Sequence, residues 1–275
     1  MSDPLYRSIA VASTFSPRFA QVLSEAKRIR DRFDSTLSLI YVGERNAETA
    51  KKFADALQRL HLPADSTIHY QKGEPAAAIL QAAAVHHIDL IIAGALEKEV
   101  ILRHFLGNVA RRLVREASCS VMLFTHPEIK PKRLRKIVFM ADYSEHGQRA
   151  LRKTLHLAER EASERLYAIR VYTSFDEARA TRHAKSPEAH ARAHTLAEEE
   201  AALEQFILAA GHTDVPIEAR CVRGNTAYAG SDFVQAIEAD LLAVPVPSQR
   251  GPEKKLPAKI SWVTDVIPCN LWVIR

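Results

Sequence analysis

The sequence predicts an α/β protein made of one parallel-sheet module written twice. Three observations predict it. Apolar runs of strand length alternate with stretches of helical period along the 275 residues, the pattern of a parallel sheet covered on both faces. The order found in the first half returns in the second. A polar stretch with two prolines, Pro127 to Arg133, separates the halves and reads as a linker.

The elements follow in order. Arg7 to Ala12 reads as the first strand, with Ile9, Ala10 and Val11 apolar. Ser16 is the expected N-cap of the next helix and Pro17 its first residue. That helix runs to about Phe33, with Phe19, Leu23, Ala26 and Ile29 at helical spacing. Thr36 to Val42 is a second strand, and Ala47 to Leu60 a second helix that stops before Pro63. Ser66 to Tyr70 is a third strand, and Gly73-Glu74-Pro75 opens a third helix ending near His86. Leu90 to Ala93, closed by Gly94, is the fourth strand. Val109, Leu113, Val114 and Ala117 mark a fourth helix that starts at Gly107-Asn108, and Val121 to Phe124 is the last strand.

The second half answers position by position. Ile9, Ala10 and Val11 correspond to Ile137, Val138 and Phe139. Leu37, Ile40 and Val42 correspond to Leu166, Ile169 and Val171. Gly73 answers to Gly224, Asp89 to Asp240, and Cys119 to Cys269. The spacing grows between the early and late matches, so the second copy carries an insertion around 173–195. The expected domains are 5–126 and 134–275, joined by 127–133. So long a period means a domain duplication and not a solenoid.

Composition sets the outer limits. Lys and Arg number 38 against 33 Asp and Glu, a net charge of +5. No basic run concentrates that excess, so a nucleic-acid surface is not expected. Three cysteines make no disulfide framework and fit a reducing compartment. The N-terminus lacks a signal-peptide shape and no apolar run reaches membrane-span length. A cytoplasmic protein is expected, its partner a protein or a small ligand.

The stretch from Asp89 to Phe124 is where chemistry is expected. A strand that feeds a Gly-bearing loop and then a helix start brings orphan N–H groups and the positive end of a helix dipole together, as phosphate sites do. The matched positions resemble the universal stress protein family in its tandem form. The anchors are the turn after the first strand, the Gly before the third helix, the Asp-Leu-Ile strand ending in Gly, and the final Cys-x-Val strand. The resemblance implies two Rossmann-like α/β domains, each a five-stranded parallel sheet of order 3-2-1-4-5 with helices on both faces, as in adenine nucleotide alpha hydrolases. Many members pair through their last strands. Two domains in one chain imply that this pairing is internal, with a further homodimer left open.

Nucleotide-binding members of the family carry Gly-x2-Gly-x9-Gly-Ser/Thr after the fourth strand and an Asp at the end of the first. Here Gly94 matches the first Gly and Gly107 the third. Glu97 stands for the second Gly, Asn108 for the hydroxyl and Thr14 for the Asp. The charge of Glu97 repels a polyphosphate. In the second copy Asp142 is intact, but Pro245, Pro257 and Ala258-Lys259 replace the glycine pattern, and prolines remove donors. Lys254, Lys255 and Lys259 supply charge without a cradle. The candidate site residues are therefore Thr14, Val42, Gly94, Gly107 and Asn108 in the first copy and Asp142 in the second. The expected function is a non-catalytic stress-response protein that binds a partner or small ligand, its nucleotide motifs degenerate. The alternative keeps ATP or another adenine nucleotide on Gly94, Gly107 and Asn108, with slow hydrolysis.

Plain readings stand beside these. Gly94 and Gly107 also suit ordinary turns, Asn108 an ordinary N-cap, and Asp142 with Ser144 a helix cap. Arg111, Arg112 and Arg115 suit a solvated helix face. Asp89 and Asp240 read as solvated strand-entry residues. His190, His194 and Glu198 share one face if helical, which fits a metal site as well as a solvated helix. No P-loop, nucleophile-elbow or His-Glu-x2-His pattern occurs.

Overall fold

The computed structural model describes residues 5–13, 15–95, 106–183, 195–224, 228–247, 256–265 and 267–275. The first half runs β1 (Ser8–Ser13), α1 (Phe19–Phe33), β2 (Thr36–Val42), α2 (Ala47–Arg59), β3 (Ile68–Gln71), α3 (Pro75–Val85), β4 (Leu90–Gly94), α4 (Asn108–Glu116) and β5 (Ser120–Phe124). The second runs β6 (Lys136–Met140), α5 (Glu145–Glu161), β7 (Arg165–Thr173), α6 (Ser174–His183), α7 (Leu196–Leu208), β8 (Ile217–Gly224), α8 (Ala229–Ala236), β9 (Leu241–Pro245), a 3-10 helix (Ala258–Thr264) and β10 (Asn270–Ile274).

All ten strands form one sheet of order β3-β2-β1-β4-β5-β10-β9-β6-β7-β8. Each half has the 3-2-1-4-5 order, and the halves meet edge to edge. β5 and β10 pair antiparallel, with Leu123 opposite Leu271 and Met122 opposite Trp272. The pairs within each half are parallel. The expected internal pairing through the last strands is thus present.

Alternation along the strands builds two apolar layers. Ile9 and Val11 face one, with Leu23 and Ile29 of α1, Phe53 of α2 and Leu151 of α5. Ala10 faces the other, with Ile79 of α3, Leu113 of α4, Val234 of α8 and Trp262. Both layers draw on both halves, so the core crosses the β5–β10 seam without a break.

Polar groups fix the seam. Ser120 Oγ accepts from the Tyr6 hydroxyl (2.8 Å) and the Arg275 amide (2.9 Å). At the other end Asn270 Oδ1 accepts from the Thr125 amide (2.9 Å), and its Nδ2 donates to Asp240 O (2.9 Å). Between α1 and α5, the fully buried carboxylate of Glu161 binds Arg28 (2.7 Å) and Arg32 (2.6 Å) and accepts from the Leu134 amide (3.1 Å).

Several local expectations are corrected. Asp89 and Asp240 do more than meet solvent at strand entries. Asp89 Oδ2 accepts from the Arg7 and Ser8 amides, and Asp240 Oδ2 from those of Arg135 and Lys136. The same bond thus ties the first strand of each half to its fourth. Ser16 is not the N-cap of α1: that position is Arg18, with no side-chain cap bond, while Ser16 O accepts from the Phe19 amide. Asn108 is the first helical residue of α4, and Gly107 is its N-cap.

Candidate functional site

β1 and β4 lie side by side in the first half. Beyond their C-terminal ends one connection goes to α1 and the other toward α4, on opposite faces of the sheet. Ligands of doubly wound sheets bind at such a switch point. Here it holds a cleft of about 400 Å³, within the usual size range of small-molecule sites. Its floor is Ala12, Val42, Ala93 and Gly94. Its walls come from Val22 of α1, Ile79 of α3, and Val109 and Leu113 of α4. The polar members of the described lining are Ser13, Ser16 and Arg18. Ser13 Oγ donates to Ile40 O at 3.3 Å, and Arg18 Nη1 to Thr125 O at 3.4 Å.

Three helix starts border this cleft. Glu74 caps α3, accepting from the Ala76 (3.1 Å) and Ala77 (2.9 Å) amides, and its carboxylate pairs with Arg112 of α4. The Ala77 and Ala76 amides, with Arg112 beside them, hold the Glu74 carboxyl below its ordinary pKa. The N-caps of α1 and α4, Arg18 and Gly107, make no side-chain cap bond. Arg112 also binds Glu116, so its guanidinium is engaged within the wall.

Of the candidate residues, Val42 and Gly94 line this cleft, and Gly107 and Asn108 precede its wall residue Val109. Gly94 is there for packing: a Cβ would lie 3.0 Å from Val22 Cγ2. Gly107 has φ −62° and ψ 158°, a conformation open to any residue. Thr14, Glu97, Lys254 and Lys255 lie outside the described residues, as does the Lys259 side chain.

Among the described residues, the same place in the second half is lined by larger side chains. Met140 stands for Ala12, Val171 for Val42 and Pro245 for Gly94. The 3-10 helix replaces the start of α4 and brings in Trp262, 2% exposed. A Cβ added to Gly230 of α8 would meet Val171 Cγ2 at 3.3 Å and both Met140 Cε and Trp262 Cζ2 at 3.6 Å. Those three side chains therefore close on the bare backbone of Gly230, whose matched position in the first half carries the side chain of Ile79. Asp142 is exposed. Its Oδ1 accepts from the Ser144 amide (3.0 Å) and hydroxyl (2.8 Å), and Ser144 Oγ caps α5 through the Gly147 amide (2.8 Å). Asp142 braces a helix cap, the plain reading given to it above.

The reading of His190, His194 and Glu198 as one helical face falls mostly on residues that are not described. His190 and His194 lie outside the described residues. Helix α7 begins only after Thr195, and Glu198 closes a capping box with it, accepting from the Thr195 amide at 2.7 Å. Among the described residues no group of three or more His, Cys, Asp or Glu side chains is placed to hold a metal. Burial raises the Cys119 and Cys221 thiols to about 11, which disfavours the thiolate at neutral pH.

Sequence reasoning missed Ala12, Ile79 and Arg18 in the first half and Trp262 in the second. The signal for one pair was present: Ala12 and Met140 occupy matched positions, and the small residue marks the half with room.

The sheet order, the switch-point cleft and the internal repeat define a tandem doubly wound α/β protein. The universal stress protein family matches residues 5–125 and again 133–275, and the chain belongs to that family. A universal stress protein encoded 3′ of a QAH/OAS sulfhydrylase in Thermus aquaticus is 37% identical over 81 residues, covering 29% of this chain and 58% of that one. The chain thus spans little more than half the length of this relative. Two solved structures share the fold. A putative universal stress protein from Pseudomonas aeruginosa UCBPP-PA14 superimposes with a TM-score of 0.69 at 16% identity, covering 98% of this chain and 93% of its own. A universal stress protein from Archaeoglobus fulgidus gives 0.65 at 13% identity, covering 97% and 98%. Among the described residues no helix is long and apolar enough to cross a membrane.

Proposed function

We propose that this protein acts in the stress response as a non-catalytic binder, with ligand binding confined to the first repeat. The observation that carries this is the contrast between the two switch points. One is an open cleft of about 400 Å³, and at the other the buried side chains of Met140, Val171 and Trp262 close on Gly230. The described lining of the open cleft is mostly alkyl and includes no carboxylate, imidazole or thiol. Such a surface binds by shape and apolar contact. Acid–base catalysis needs a titratable group within reach of the reacting atom. The second repeat completes the sheet and the core.

A second reading places ATP or another adenine nucleotide in the same cleft. The start of α4 supports it, since its N-cap Gly107 offers no side chain to the Asn108 to Ala110 amides beside the cleft. One experiment tests the common claim and separates the readings. Small molecules released from purified protein are identified by mass spectrometry, for the native chain and for Ala12→Met, which copies the second repeat. ATP is titrated into both by calorimetry. The binder reading expects a released ligand or a bound additive in the native chain and none in Ala12→Met, with ATP weak in both. Tight ATP binding lost in Ala12→Met supports the nucleotide reading. Equal binding by both chains removes the cleft from either account.

A further inference from the structure

A second cavity, apart from both switch points, lies on the seam between the repeats. Its volume is about 420 Å³, room for a small molecule. Its described lining joins four parts of the chain. Glu25 and Arg28 come from α1, Lys132 and Arg133 from the linker, Asp240 from the turn between α8 and β9, and Asn270 from the start of β10. Neither repeat forms it alone. One lining carboxylate is buried and only partly used. Glu25 is 4% exposed. Its Oε2 accepts from Arg28 Nε (3.2 Å) and Nη2 (2.6 Å), while its Oε1 accepts from the Glu128 amide at the long distance of 3.5 Å. Burial raises the Glu25 carboxyl pKa despite Arg28, as it does for a charge that its neighbours only partly offset.

Asp240 uses Oδ2 for the Arg135 and Lys136 amides, and among the described residues no donor is bonded to its Oδ1. The cations are unequally committed. Arg28 is held by Glu25 and Glu161, and Lys132 by Glu128 at 2.6 Å. Arg133 is exposed, and among the described residues its side chain has no ion pair. Its planar guanidinium matches a carboxylate. Leu134, Val234 and Pro268 add apolar lining. Charge then decides between classes of ligand. A simple anion meets repulsion from Glu25 and Asp240, and a simple cation from Arg133. A molecule with an ammonium, a carboxylate and a short alkyl group answers all three.

We infer that the seam cavity takes a zwitterionic amino acid with an alkyl side chain, its ammonium on Glu25 and Asp240 and its carboxylate on Arg133. This site is a third place, additional to the two switch points, of which only the first is read above as a binding cleft. The experiment uses the full chain and three probes: leucine, isoamylamine, which lacks the carboxylate, and isocaproate, which lacks the ammonium. Calorimetric titrations compare the native protein with Arg133→Gln, Glu25→Gln and Ala12→Met. Circular dichroism melts verify that each variant is folded. Leucine binds one per chain and at least about tenfold more tightly than either analogue, the scale of one charge-assisted hydrogen bond. Arg133→Gln weakens leucine by about tenfold and leaves isoamylamine unchanged. Glu25→Gln weakens leucine and isoamylamine but not isocaproate. Arg133 is exposed, so its variant decides the matter even if Glu25→Gln does not fold. Absence of leucine binding overturns the inference, as does leucine binding that Arg133→Gln leaves intact. Loss of leucine in Ala12→Met but not in Arg133→Gln places the amino acid in the first cleft and overturns it too.

Discussion

Glu161 shows how one side chain holds the two halves in register. Its carboxylate is fully buried yet ionised. Burial works against the charge, but Arg28, Arg32 and the Leu134 amide outweigh it and lower the pKa below the ordinary glutamate value. Removing one partner of a buried pair strands the other, so Glu161→Ala should cost about 3–5 kcal/mol in urea unfolding. The pH dependence has a definite sign. With its folded pKa depressed, Glu161 stabilises above the ordinary glutamate value of about 4.3, and that contribution is lost as pH falls through the lower folded value. Glu25, packed close by, is raised by burial despite Arg28, so its contribution runs the other way and declines as pH rises through its folded value. Glu161→Gln should therefore flatten the acid limb of the stability curve. An unchanged acid limb would show that this group does not link the halves.

At the scale of elements, the chain announced its strands and helices through period and punctuation. β2 was legible to the residue, since Thr36 and Val42 bound an apolar run between turn-forming neighbours. α3 was legible from Gly73-Glu74-Pro75, although the cap proved to be Glu74. Helix starts were harder. Ser16 fits every preference for an N-cap, yet α1 starts three residues later, because its register is set by Phe19, Val22 and Leu23 meeting the sheet. The packing of Trp262 was the least legible feature. It depends on a tertiary approach between the 3-10 helix and Gly230, and no local period records that. Trp262→Ala should therefore cost about 3–5 kcal/mol as a large buried side chain is lost. Loss below about 1 kcal/mol in urea unfolding would mean that the second cleft is not packed around this ring.

The whole molecule is one ten-stranded sheet with a pseudo-twofold seam, in which the halves have diverged in opposite directions. Duplication supplies two switch points: the first holds a cleft of about 400 Å³, and at the second the described side chains of Met140, Val171 and Trp262 close on Gly230. The family fold and the internal repeat could be read from matched residues, because strand patterns and Asp89/Asp240 recur at both places. The asymmetry of the clefts could not, except through the single exchange of Ala12 for Met140. The glycine motif pointed to the end of β4 beside which the cleft lies, but not to the apolar character of the lining, which comes from α1, α3 and α4 together.

The most direct test of this asymmetry needs no knowledge of the natural ligand. Crystals of the full chain soaked in isopropanol report where a small, mostly apolar probe finds room. The account predicts bound isopropanol against Ala12, Val42 and Ile79 in the first repeat, and side chains alone at Met140, Val171 and Trp262. Probe density beside Trp262, or an empty first cleft, would contradict it.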